Sequence, residues 1–166
     1  MPTEIEKKVL NLLSVVDYSG GSDPGQLIAS WGNEAVTLVC EIALAGYPGL
    51  LPKVRTNAVA VLETVDHPQS KETVRLLVKD ADSDISIRAL RAAGGQRNAA
   101  SVRDMASLLQ STSLQPLVAV EVVKALLAIA TPEARAALAG YAASDRKKYP
   151  HRANPLVNSY LEKAPK

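Results

Sequence analysis

The run Asp80-Ala81-Asp82-Ser83-Asp84 sets three carboxylates at alternate positions, the opening of an oxygen-rich loop that surrounds calcium. Such a loop needs glycine at its sixth position and a bidentate glutamate at its twelfth. Ile85 and Arg91 stand there instead, so calcium is excluded. The run reads as an inter-helix turn in which Ser83 or Asp84 caps the next helix. Gly20-Gly21-Ser22-Asp23-Pro24-Gly25 is glycine-rich ahead of a helix, yet it lacks a Lys-Ser/Thr pair and a preceding strand; a capped loop fits better than a phosphate cradle. The two histidines, His67 and His151, have no second His or Cys at metal-ligand spacing, and each reads as a solvated surface residue. Cys40 reads as a small buried hydrophobe, and Ser101, Ser107 and Ser144 lack the G-x-S-x-G context of an activated serine. No catalytic residue, metal ligand or cofactor is expected.

The densest positive cluster is Arg146, Lys147, Lys148 and Arg152, with Tyr149 between them. These four are candidate anion-binding residues, for phosphate or an acidic protein. Trp31, just before Gly32, offers a flat amphipathic ring, for which packing at a helix junction is favoured over a binding anchor.

The 166 residues are 47% hydrophobic and 22% charged, enough for one domain with its own core. One cysteine excludes an intramolecular disulfide framework and permits a cytoplasmic setting, which is the expected location. The start MPTEIEKKVL does not read as a signal peptide, because two Glu offset two Lys and no uncharged apolar run of signal-peptide length follows a basic start. The most apolar stretch, 114–130, contains Pro116, Glu121 and Lys124 and is too short and too charged to span a bilayer, so no membrane partner is expected. The net charge of +2 conceals a division: residues 1–83 hold seven Lys/Arg against eleven Asp/Glu (net −4), and residues 84–166 hold twelve against six (net +6).

The elements that must position these residues are helices. Pro24, Pro52, Pro68, Pro116 and Pro132 fall where a first helical turn tolerates a missing amide proton. Apolar residues recur at three- and four-residue spacing, as in Ile5, Val9, Leu12, Leu13 and Val16. Gly46, Gly94-Gly95 and Gly140 lie near the ends of such runs, where a left-handed residue closes a helix. The pattern predicts helices over 4–16, 24–31, 33–46, 51–65, 69–79, 84–93, 98–110, 114–129, 132–143 and 153–163, with a flexible loop at Tyr18–Ser22 and an irregular stretch over 143–155. Short links make sequence neighbours antiparallel hairpins.

The hairpins repeat. Val54 and Leu62 align with Val118 and Leu126 at an offset of 64, and the segment from Asp84 to Arg91 matches near half of it; Val74 and Leu77 precede Met105 and Leu108 by 31. A two-helix period near 32 resembles the HEAT-like repeat family. Its second helix often opens with an acidic or proline residue, then a Val-Arg pair, then small residues. Val54-Arg55 with Ala58, and Ile87-Arg88 with Ala89 and Ala92, look like that motif, whereas Val118-Ala119 lacks the arginine. The resemblance covers about residues 33–144, leaving 1–32 as N-terminal cap helices and 145–166 as a basic loop and C-terminal helix of one domain.

The resemblance implies an all-α fold, a short α-solenoid of stacked hairpins with a HEAT-like or ARM-like superhelix. It implies that second helices line a concave face on which Lys53, Asn57, Arg88, Arg91, Glu121 and Lys124 are exposed as partner-binding residues. Helix 114–129 suits an inner position, its polar side reduced to Glu121 and Lys124. Arg55, on the side of its helix that carries Val59 and Leu62, is expected to brace adjacent repeats. The function expected is non-catalytic binding of another protein, as adaptor or inhibitor; the alternative is nucleic-acid binding through the basic C-terminal half. The HEAT-like class includes DNA glycosylases and bilin lyases, but no catalytic motif of theirs maps onto this chain.

Overall fold

Proline opens six of the helices. In the computed structural model, which describes residues 1–15 and 23–166, Pro24, Pro52, Pro68, Pro116, Pro132 and Pro155 each occupy the first helical turn. The helices are α1 (Glu4–Ser14), α2 (Pro24–Ser30), α3 (Asn33–Ala45), α4 (Pro52–Val61), α5 (Pro68–Leu77), α6 (Ser83–Gly95), α7 (Val102–Leu109), α8 (Pro116–Ile129), α9 (Pro132–Ala142) and α10 (Pro155–Leu161). Short 3₁₀ turns at Leu62–Thr64, Ala99–Ser101 and Pro150–Ala153 complete the regular structure, and the described residues contain no strand. The loop expected at Tyr18–Ser22, the glycines before Asp23 and the end of the first expected helix lie outside the described residues.

Local chemistry accounts for most boundaries. Thr3 and Glu6 form a reciprocal capping box on α1, and Asp23, Thr131 and Asn154 cap α2, α9 and α10 through their side chains. The acidic turn caps α6 with Asp82, which accepts from the Asp84 and Ile85 amides, rather than with Ser83 or Asp84 as expected. Both of those residues are already helical. Gly46 closes α3 at φ +76°, as its position suggested. Gly94, Gly95 and Gly140 instead lie within α6 and α9, and α6 ends just before Arg97, whose φ is +48°.

The helices lie in two rows. The even-numbered helices from α4 pack in succession, α4 on α6, α6 on α8 and α8 on α10; α3 packs on α5 and α7 on α9 in the other row, while α1 lies against both α3 and α4. Side-chain bonds between residues about 32 apart tie neighbouring helices in parallel. Thr37 Oγ1 donates to Gln69 Oε1 (2.9 Å), and Ser83 Oγ to Gln115 Oε1 (3.2 Å), joining helix starts 32 residues apart. Helix ends are joined too: Gln96 Nε2, beyond α6, donates to the Leu62 carbonyl beyond α4 at 2.8 Å. Arg55 braces as expected, donating to the Ala43 and Leu44 carbonyls at the end of α3 and to Asp80 ahead of α6 (3.0, 3.1 and 2.9 Å).

α8 is an inner element, in contact with α6, α7, α9 and α10. Val122, Val123 and Leu126 are fully buried. Truncating a leucine sealed in this way costs about 3 kcal/mol in transfer and cavity terms.

Candidate functional site

The close approach of α6 and α8 depends on glycine. A Cβ on Gly94 would lie 3.3 Å from Ala125 Cα, and one on Gly95 would collide with the Glu63 side chain. Absence of side chains here brings the helices together and leaves a groove between their outward stripes, with a volume of about 330 Å³. Leu90, Gly94, Gly95, Ala125 and Ala128 provide the small or apolar surface, and Glu63, Arg91, Glu121 and Lys124 provide the charge.

Three of the six expected partner-binding residues meet in this groove. Arg91 Nη2 and Lys124 Nζ both donate to Glu121 Oε1, at 3.1 and 3.4 Å. The Glu121 side chain is only 9% exposed, against 56% for Arg91 and 40% for Lys124, so the anion lies low and the cations rise around it. Lys124 also sits over the Tyr160 ring (5.6 Å), which carries Lys163 at 4.4 Å. Glu63 also lines the groove, its side chain against Gly95 and its proton affinity raised by partial burial and by Asp23, with Arg91 opposing. Arg88, one turn before Arg91, is half-buried, and Lys53 is exposed at the start of α4, away from the groove.

Asn57 does not belong to an open face. It is 4% exposed, and its Nδ2 donates to the Leu13 carbonyl at 2.8 Å, because the end of α1 lies against this part of α4. Glu121 likewise departs from the expected exposure: it lies at the bottom of the groove, held by its two cations.

The basic cluster divides in the same way. Arg146, Lys147 and Lys148 are exposed, with Lys148 over the Tyr149 ring at 5.3 Å. Arg152 is not available to an anion. It is 3% exposed and donates through Nη1 to the carbonyls of Tyr141, Ala142 and Ser144 (2.8, 3.0 and 3.3 Å), closing the end of α9 and resting on the Tyr141 ring. Four cations in sequence therefore give three at the surface. His151 is also inside, 1% exposed, where a solvated residue was expected. The Ser111 carbonyl can only accept, so His151 Nε2 (2.9 Å away) carries a proton; in the neutral ring Nδ1 then accepts from the Tyr141 hydroxyl at 2.6 Å. Burial pushes the Tyr141 phenol up to about 12, with Arg152 opposing.

The remaining candidates take structural places. His67 caps α5, its Nδ1 accepting from the Gln69 amide at 3.1 Å, so it too serves the fold. Burial pushes the Cys40 thiol up from its ordinary value, which keeps it a thiol at neutral pH. Trp31 is half-buried beside the core with Lys8 over its ring, the packing role favoured for it. Sequence reasoning missed Glu63 and the Gly94-Gly95 floor; the available signal was a glycine pair inside a helix pattern, which marks close packing as readily as an end. Among the described residues, no group of three or more His, Cys, Asp or Glu could hold a metal ion, and no helix is long and apolar enough to cross a membrane. No family model, no curated protein and no solved structure matches the chain.

Proposed function

We propose that this chain is a non-catalytic protein-binding module of the cytoplasm, an adaptor or an inhibitor, built as a short HEAT-like α-solenoid with its partner on the second-helix face. One observation carries the reading: the outward stripes of α6 and α8 enclose a groove whose charged rim is half-exposed and whose lining is glycine, alanine and one leucine. Two rows of parallel helices support the solenoid reading, since hairpins too short to bury an apolar face alone gain a continuous core by stacking. A surface of this kind is ordered before its partner arrives, which lowers the entropic cost of binding.

The binding face is shorter than the repeat pattern implied. It runs over Arg88, Arg91, Glu121 and Lys124, with Lys53 outlying and Asn57 covered. Nucleic acid is the weaker alternative, because it rests on Arg146, Lys147 and Lys148 once Arg152 has turned inward.

The test is site-specific photo-crosslinking in the native cell, with the photoreactive residue at exposed Ala128 beside the groove and, as a control, at exposed Ala136 on α9. A discrete protein adduct from position 128 that disappears in an Arg91→Glu/Lys124→Glu background is expected. Equal adducts from both positions, or none from 128, would overturn the assignment.

A further inference from the structure

We propose that the cleft between α7, α9 and the 144–149 loop is a second docking site, which takes an aromatic side chain from an acidic segment of a partner protein. The cleft belongs to the first-helix row and is independent of the second-helix face above. Space is the first ground. The cleft holds about 320 Å³ beside Leu109, Ala137 and Gly140, and exposed Gln110 and Gly140 leave it open to water, so it admits a residue still attached to its chain. Neither backbone nor packing requires Gly140. It lies within α9 without a left-handed φ, and a Cβ built on it would meet nothing within 4 Å. Glycine weakens a helix relative to alanine, and what its bare backbone does here is keep the cleft wall flat.

Charge is the second ground. No carboxylate lines this cleft. Ser144 and Tyr149 both stand in its wall, and the loop between them carries Arg146, Lys147 and Lys148 against Asp145 alone, three minus one for a net of +2. The three cations are exposed, and among the described residues none of them is in an ion pair. Asp145 is turned to its own loop, its Oδ1 accepting from the Lys147 amide at 2.8 Å. One turn back along the two helices Arg103 and Glu133 offset each other. The third ground separates an acidic protein from nucleic acid. A nucleobase needs a free aromatic face, but Lys148 lies over the Tyr149 ring (5.3 Å), Arg152 over the Tyr141 ring (5.1 Å), and His151 packs against both.

In the test, the isotope-labelled full chain is titrated with a terminally blocked pentapeptide, phenylalanine between two pairs of glutamates. Its alanine-for-phenylalanine and glutamine-for-glutamate counterparts and a thymidine oligonucleotide are compared with it. The parent peptide shifts the Gln110, Ala137, Gly140 and Ser144 signals. The alanine counterpart binds about tenfold more weakly, the scale of one aromatic anchor. The glutamine counterpart binds about threefold to tenfold more weakly, a difference that fades with added salt. Gly140→Leu fills the cleft and abolishes the shifts while the denaturation midpoint does not fall. Arg146→Ala/Lys147→Ala/Lys148→Ala, at exposed positions, weakens the parent peptide and leaves the glutamine counterpart's affinity unchanged. Normal binding by a folded Gly140→Leu chain, equal affinity for the parent and either counterpart, or tighter binding of the oligonucleotide with the same shifts would each overturn the proposal. Because Ala136 also lines this cleft, a partner caught there in cells differs in mass from the one caught at 128 and persists in the Arg91→Glu/Lys124→Glu background. An identical adduct at both positions counts against both sites.

Discussion

Two clefts of nearly equal size, about 330 Å³ between α6 and α8 and about 320 Å³ between α7, α9 and the 144–149 loop, lie beside charge clusters of opposite fate. Beside the first, Arg91 and Lys124 meet a carboxylate and keep most of their donors in water. Beside the second, Arg152 and His151 meet backbone carbonyls and a phenol and vanish from the surface. The difference is one of partners. A helix end exposes unsatisfied carbonyls that draw a cation inward, whereas a helix flank has none, so its cations must find side chains or solvent. Arg152, beside the end of α9, therefore serves the fold, whereas Arg91 and Lys124, on the flanks of α6 and α8, stay partly exposed.

The largest expected effect tests the buried cluster. Arg152→Ala leaves the Tyr141, Ala142 and Ser144 carbonyls without their donor and should cost about 3 kcal/mol, read as a lower midpoint in chemical denaturation. A loss below about 0.5 kcal/mol would place Arg152 with the surface cations. Next comes the floor of the open cleft. Gly94→Ala drives a methyl to 3.3 Å from Ala125 Cα and should cost about 1–2 kcal/mol by forcing α6 and α8 apart, with the groove resonances shifting as it does.

The third sharpens the contrast through pH. The Tyr141 phenol is pushed from its ordinary 10 up to about 12, so the fold favours its neutral form. That contribution is complete below pH 10 and is lost as pH climbs toward 12. Denaturation midpoints should fall across this alkaline window, and Tyr141→Phe should remove that part of the decline while lowering stability at neutral pH by about 1 kcal/mol for the lost bond to His151. The smallest effect lies at the groove rim. Glu63 also has raised proton affinity, so its ionised form is disfavoured by folding and its contribution falls as pH rises through its titration. Glu63→Gln should therefore be neutral below the ordinary glutamate value of 4.5 and slightly stabilising above it. Loss of stability at neutral pH would show that Glu63 supports the fold.

How much of this was legible depended on distance along the chain. Pro52, Pro116 and Pro132 announced their helices because an N-terminal proline acts within its own turn. The inner place of α8 was legible from its sparse polar stripe, and the brace at Arg55 from the side of the helix it shares with Val59 and Leu62. Asp82 was missed as a cap by one residue, an ordinary margin where several acids adjoin. Asn57, His151 and Arg152 were misplaced for another reason. Their partners, Leu13, Ser111 and the end of α9, lie 44, 40 and about ten residues away and belong to other elements. The glycine pair was read as a helix end because one sequence cannot tell a residue that must turn from one that must be small.

The chain by itself determined the helical class, the order of the elements and most of their starting points, since caps, prolines and apolar spacing act over four residues or fewer. Tertiary structure alone decided which charges stay at the surface and that Arg91, Glu121 and Lys124 converge. The physical reason is that a long polar side chain goes where its donors are satisfied, and the acceptors competing for it are brought near only when distant helices pack.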